Sequence, residues 1–306
     1  MRVPGPGALT LGNAWCVNMM MRRAASVISA GLLALGLAAC QSRDPGAPEQ
    51  AGPVATAAAP VASAAAPATS AAPQPTGSPA STWRLVFNGT FTGGALNTAD
   101  WSTGWLASGI TQPVSKGELE CYDPANVAVA DGALSLSLSR QAHSCGGRVR
   151  PYSSGMINTD GKFHFTYGFM QARIWLPGRS GQITNWPAFW ADGQNWPKTG
   201  EIDVLEGLDG RACWHFINRA ASRGNCVAGT FYNGWHTFGA DWEPRSITYY
   251  YDGRVVGRIR SGITHAPMYL ILNNATTHLH QIPVQVPADM RVAYVRVWQH
   301  PGQVAG

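Results

Sequence analysis

From Trp83 onward no stretch of this chain keeps a helical period for a dozen residues, and short alternating segments take its place. LVFNGTF, VAVADGALSLSLS, FHFTYGFMQARIWL, ITYYYDGRVVGRI, MYLILNNA and RVAYVRVWQ follow one another, with Gly, Pro, Asn and Asp between them. Their β-branched and aromatic residues suit a pleated, half-buried surface, and the punctuating residues suit turns. ADGAL and YDGRV place Asp-Gly between apolar runs, the strongest short-range signal of a hairpin. The pattern predicts an all-β domain of many strands, two antiparallel sheets packed as a sandwich of jelly-roll type, with no internal repeat.

Composition sets the limits of that domain. Eleven of the twelve Trp and all nine Tyr lie at or beyond residue 83. Residues 41–82 hold no aromatic, Leu, Ile or Met, so they bury too little apolar surface to offset the entropy of ordering, and a flexible tether is expected. Residues 83–306 are long enough for one domain with a full core. That domain carries 18 Lys plus Arg against 15 Asp plus Glu, with no basic run, which excludes a nucleic-acid partner. Upstream, MMMRR precedes an apolar stretch from Ala24 to Ala39 that is too short to span a membrane comfortably. A basic start, a short apolar core and then LAAC resemble a bacterial lipobox. Residues 1–39 are read as a leader removed on export, and residue 40 onward as a tether with lipid on Cys40. The protein would then be exported and anchored to the cell envelope.

Six cysteines fit this reading. Cys16 goes with the leader and Cys40 takes the lipid, leaving Cys121, Cys145, Cys213 and Cys226. An even number in an exported domain argues for disulfides, and of three possible pairings the short-range one, Cys121–Cys145 with Cys213–Cys226, is expected. Zinc is the rival, but no CxxC or suitably spaced His pair supports it.

The chemistry sits in TGEIDVLEG, residues 199–207. Glu201 and Asp203 stand at i and i+2 and share one face of a strand, while Glu206 at i+5 would face the other way. A β-bulge at Val204–Leu205 adds one residue and restores the phase, and bulges gather beside active sites because they re-aim side chains. Three carboxyls on one face cannot all ionise freely, so one or more should have a raised pKa. A carboxylate beside a carboxylic acid is what retaining glycoside hydrolysis uses, with the two groups about 5–5.5 Å apart. Outer Cα atoms about 13 Å apart require the side chains to lean inward, with Asp203 between them.

Here the residues carry a family resemblance. WPAFW at 186–190 and then WPKTGEIDVLE resemble glycoside hydrolase family 16, in the laminarinase-like branch with a bulged ExDxxE motif. SGMINTDGKFHFTYGFMQARIWLP, GWHTFGADWEP, PMYLIL and RVAYVRVW continue the likeness across nearly all of 83–299. The resemblance implies a concanavalin-like jelly roll with a substrate cleft on its concave face. It implies Glu201 as nucleophile, Glu206 as acid/base and Asp203 as their auxiliary. Trp105, Trp186, Trp190 and Trp196 become candidate platforms for sugar rings, which stack their C–H faces on indole. His215, in ACWHF, becomes a candidate to hydrogen-bond the acids or a sugar hydroxyl. His278 and His280 read as a rim loop rather than a metal pair, for want of a third ligand.

Three departures matter. Where the family places acids that help hold a structural calcium, this chain has Asn88, Gly89, Thr90 and Ala293, so calcium is expected to bind weakly or not at all. SKGELECY puts Lys116 and Gly117 where amides are usual, and NATTHLHQ lacks the usual glycines. The expected protein is a monomeric, cofactor-free, retaining endo-hydrolase of a polysaccharide, with β-1,3-glucan or mixed-linked β-glucan first. The alternatives are an agarose or carrageenan hydrolase or a transglycosylase with the same acids, or a glucan-binding protein without catalysis.

Overall fold

The computed structural model of the protein describes residues 72–78, 82–279 and 281–303. The leader, Cys40, most of the expected tether and His280 lie outside the described residues. Two large sheets form a jelly-roll sandwich. The cleft sheet runs in the order Ser222–Val227, Arg211–Ile217, Glu201–Leu208, Trp186–Gly193, Met268–Ala275, Met156–Asn158 and Ser102–Thr103, antiparallel throughout. The ten-stranded back sheet is built around Ser246–Tyr251, Trp235–Glu243, Gly168–Trp175 and Ala288–Gln299. Glu120–Tyr122 joins its far edge by a parallel pairing with Tyr152–Ser154.

Period-two alternation divides the cleft sheet. Phe189, Ala191, Ile202, Leu270 and Leu272 point back into one core with Phe238, Tyr249 and Tyr251 of the back sheet. The opposite face of the same strands carries Ala188, Trp190, Tyr269 and Ile271, a second apolar cluster that forms the cleft floor. Met268–Ala275 is therefore buried along its whole length, and MYLILNNA shows no polar alternation.

Val204 and Leu205 break the alternation: both are fully buried in the core although adjacent in sequence. Asp203 pairs with Trp190 and His215, while Glu206 pairs with Ala188 and Cys213, so three steps on the acid strand match two on each neighbour. The extra residue turns Glu206 to the side of Glu201 and Asp203. Tyr251 of the back sheet reaches across the core and donates its hydroxyl to the carbonyls of Val204 (3.1 Å) and Cys213 (2.8 Å). Tyr249 donates to the His215 carbonyl at 2.6 Å. Gly200 opens the strand at φ +90°, where an added Cβ would also come within 2.3 Å of Thr264 Oγ1.

Both expected disulfides are present. Cys121–Cys145 ties the edge of the back sheet to the hairpin of His143–Cys145 and Arg148–Arg150. Cys213–Cys226 joins directly opposite residues of adjacent strands. The residues at the family's calcium position do not suit that ion: Asn88 Oδ1 already accepts from Arg296 Nε at 2.9 Å, and Ala293 offers no side-chain oxygen.

The edge of the tether differs from the expected boundary at 82. Residues 72–78 lie against the back sheet, held through their own backbone. Trp298 Nε1 donates to the Pro73 carbonyl at 2.7 Å, and the Gln171 side chain pairs with both the amide and the carbonyl of Thr76. Trp83 Nε1 donates to Ser78 Oγ at 3.0 Å. Side-chain composition gives no warning of such docking, because main-chain groups make most of it. A chain beginning at residue 83 loses these four bonds, roughly 2 kcal/mol at the lower end of the 0.5–1.5 kcal/mol usual for each. Its melting midpoint is expected about 4–8 °C below that of a chain beginning at residue 72, measured by thermal denaturation.

Candidate active site

The acid strand and the strand Trp186–Gly193 present their outward residues to a cleft of about 300 Å³. Glu201, Asp203 and Glu206 all line it, as do Trp105, Trp186, Trp190 and Trp196. Asp203 is almost fully buried (3% exposed) and forms a side-chain hydrogen bond with Glu201. Burial first, then the charges of Glu201 and Glu206, push Asp203 well above the usual carboxylate range, so it is the group that carries a proton and donates it toward Glu201. Glu201 rises to about 7, chiefly through desolvation and further through Glu206, against the hydrogen bonds from Asp203 and the Trp196 side chain, which favour its ionised form.

Glu206 is held from two sides. Trp186 Nε1 donates to its Oε1 at 3.1 Å, and His215 Nδ1 lies 2.5 Å from its Oε2. Gly224 on the next strand leaves room for that imidazole, since a Cβ there would stand 1.9 Å from His215 Cδ2. Asp203, Glu206 and His215 each bring one ligand-type atom within 4.8 Å of the others. A protonated Asp203 and the direct bond from His215 to Glu206 make this cluster a proton network.

The four tryptophans are not equivalent. Trp196 is 56% exposed, beside Glu201, and is the open platform. Trp186 orients Glu206 through its N–H. Trp190 is buried in the floor, stacked on Trp105 with ring centroids 5.8 Å apart, so it supports the cleft rather than standing open in it. Its Nε1 donates to Asn273 Oδ1 at 2.8 Å, Asn273 donates to the Tyr122 hydroxyl, and that hydroxyl donates to Glu118 Oε2 at 2.9 Å. His278 is exposed on the loop after Met268–Ala275 and does not line the cleft.

Sequence reasoning missed Glu118, Asn273 and Asp192. Asp192 was the most accessible to it, since it continues the outward series Trp186, Ala188, Trp190 at the same spacing of two. With Glu118 and Asp192 the cleft holds five acids, and no lysine or arginine stands among the described residues lining it.

Crowded, desolvated carboxyls affect folding in a fixed direction. Between about pH 4.5 and 7 the folded protein keeps a proton on Glu201 that the unfolded chain has released. This group is harmless to stability below pH 4.5 and destabilises the fold increasingly as pH rises through 7. Glu201→Gln is therefore expected to melt several degrees higher than the parent at pH 8 and at nearly the same temperature at pH 4.5. Melting curves at the two pH values test this.

Residues 118–276, 159 of the 306, match the family model for glycosyl hydrolases family 16. The chain is 30% identical over 187 residues to Endo-1,3-1,4-beta-glycanase ExsH of Rhizobium meliloti (strain 1021), a match over 56% of this chain and 39% of the relative. It is 31% identical over 201 residues to Glucan endo-1,3-beta-glucosidase of Cryptopygus antarcticus, over 56% of this chain and 68% of that protein. Against the catalytic domain of an endo-1,3-beta-glucanase (laminarinase) from Thermotoga petrophila RKU-1 the fold aligns with a TM-score of 0.63 at 26% identity. That alignment takes in 72% of this chain and 99% of the solved domain. The chain spans about two fifths of the Rhizobium relatives it matches, so likeness to them concerns the domain around the acids. The chain belongs to glycosyl hydrolases family 16.

Proposed function

We propose that this protein is a retaining, endo-acting glycoside hydrolase that cuts internal β-linkages of β-1,3-glucan or mixed-linked β-glucan. The observation that carries this is the acid strand. One register slip sets three carboxyls on one face, and the middle carboxyl holds its proton against the first. Relatives named as endo-β-glucanases and a laminarinase support the substrate class.

Glu201, with hydrogen bonds from Asp203 and Trp196 favouring its ionised form, attacks the anomeric carbon. Glu206, positioned by Trp186 and His215, protonates the leaving oxygen and then takes a proton from the water that releases the glycosyl-enzyme. Two displacements at the same carbon retain its configuration. Each step uses carboxyl chemistry alone, so no cofactor is assigned. A lining of five acids, with no lysine or arginine among the described residues, disfavours a sulfated chain, which argues against carrageenan and for a neutral glucan.

Purified protein is expected to release oligosaccharides with retained configuration from laminarin or lichenan and none from carrageenan, read by product chromatography and NMR of the nascent anomer. Glu201→Ser is expected to lower cleavage by at least about 10³-fold. Cleavage at the parent rate by that variant would overturn the nucleophile assignment.

The export reading joins this one. LAAC ending in Cys40, followed by a tether without large apolar residues, supports a lipid-anchored envelope enzyme working on polymer from a membrane surface. Cys40→Ala is expected to move the protein from the membrane pellet to the soluble fraction on cell fractionation.

A further inference from the structure

The proposed reaction assigns no role to Asp192. This residue lies on the strand Trp186–Gly193, directly opposite Glu201 on one side and Tyr269 on the other. It lines the cleft and is 5% exposed. Its Oδ2 meets the Tyr269 hydroxyl only at 3.5 Å, the carboxyl leans on the Gly193 amide, and Oδ1 has no hydrogen-bond partner among the described residues. A buried carboxyl with so few partners destabilises the fold unless something else completes its shell.

Geometry names what can complete it. Directly opposite residues on antiparallel strands hold their Cβ atoms about 4.5–5.5 Å apart, so a sugar ring seated on the Glu201 carboxyl also covers Asp192. A sugar hydroxyl donates and accepts, and it can pair with Asp192 whether or not that carboxyl is ionised. Burial and then the charge of Glu201 raise Asp192 to about 7, so both forms are present at neutral pH. Exposed Trp196, also beside Glu201, is suited to the apolar side of the same ring.

We infer that Asp192 is a substrate-binding residue of this cleft, hydrogen-bonding a hydroxyl of the neutral sugar ring that sits over Glu201. The inference rests on the glucanase reading above. It differs from a structural role in one respect: a carboxyl that awaits its partner is a burden to the empty protein. Removing it should weaken binding without loosening the fold.

The test uses the full chain. In a Glu201→Ser background, which binds without turnover, titration calorimetry with laminarihexaose is expected to show binding about tenfold weaker once Asp192→Ala is added. That is the loss expected for one hydrogen bond to a charged group. With Glu201 intact, Asp192→Ala should raise KM on laminarin by a similar factor and leave kcat within about threefold. Asp192→Asn, which keeps one acceptor and one donor group, should stay close to the parent, and neither variant should melt lower than the parent. Unchanged Kd and KM in Asp192→Ala would overturn the inference. So would a fall in kcat alone, which would mean action through Glu201, or a lower melting point with unchanged binding, which would mean a structural role. If the parent cleaves laminarin and Asp192→Ala matches it, only this inference falls. If the parent neither binds nor cleaves any β-glucan, the glucanase reading falls and takes this inference with it.

Discussion

One inserted residue between Asp203 and Glu206 is the constraint on which the site depends. Strict alternation would send Glu206 into the core, where an unpaired carboxyl costs several kcal/mol and does no chemistry. The slip sends Val204 and Leu205 inward together and brings Glu206 out. A bulge also interrupts the ladder and leaves main-chain groups in need of partners. Here the back sheet supplies them, because Tyr251 donates across the core to the Val204 and Cys213 carbonyls and Tyr249 to that of His215. The YYY run of the back sheet, which reads as filler for a strand, thus holds the irregularity that gathers the three acids on one face.

Desolvation then does what sequence spacing cannot. The same burial acts on Glu201, Asp203 and Asp192, yet their neighbours divide the outcome. Asp203 faces two other acids and keeps its proton. Glu201 receives hydrogen bonds from Asp203 and Trp196 and is drawn back toward ionisation. Groups of one chemical type thereby take different protonation states on one strand, with Glu201 the more readily ionised of the two.

The sequence made the fold class legible through period-two segments and Asp-Gly turns, and the short-range disulfides followed from cysteine count and proximity in the chain. The acids were legible because their i, i+2, i+5 spacing has few structural explanations. The tryptophans were harder: indole rings look alike in sequence, and only coordinates separate Trp196 in the open from Trp190 under Trp105. The docked segment 72–78 was illegible for a different reason. Its partners, the Gln171 amide and the Trp298 N–H, bind main-chain atoms that every sequence shares.

Stability and function pull against each other across this sheet. Burial raises Glu201, Asp203 and Asp192 above the usual carboxylate range, and the sheet would fold more readily with amides at those three positions. A large apolar core and the fully buried Trp101, Trp242 and Trp298 supply the margin that tolerates them. On the glucanase reading proposed above, a neutral sugar offsets part of that cost. It puts hydroxyls against the Asp192 and Asp203 oxygens that lack partners among the described residues, and adds no charge of its own to the five acids of the lining. The lining is thus poorly suited to an empty cleft and well suited to one filled by an uncharged polyol.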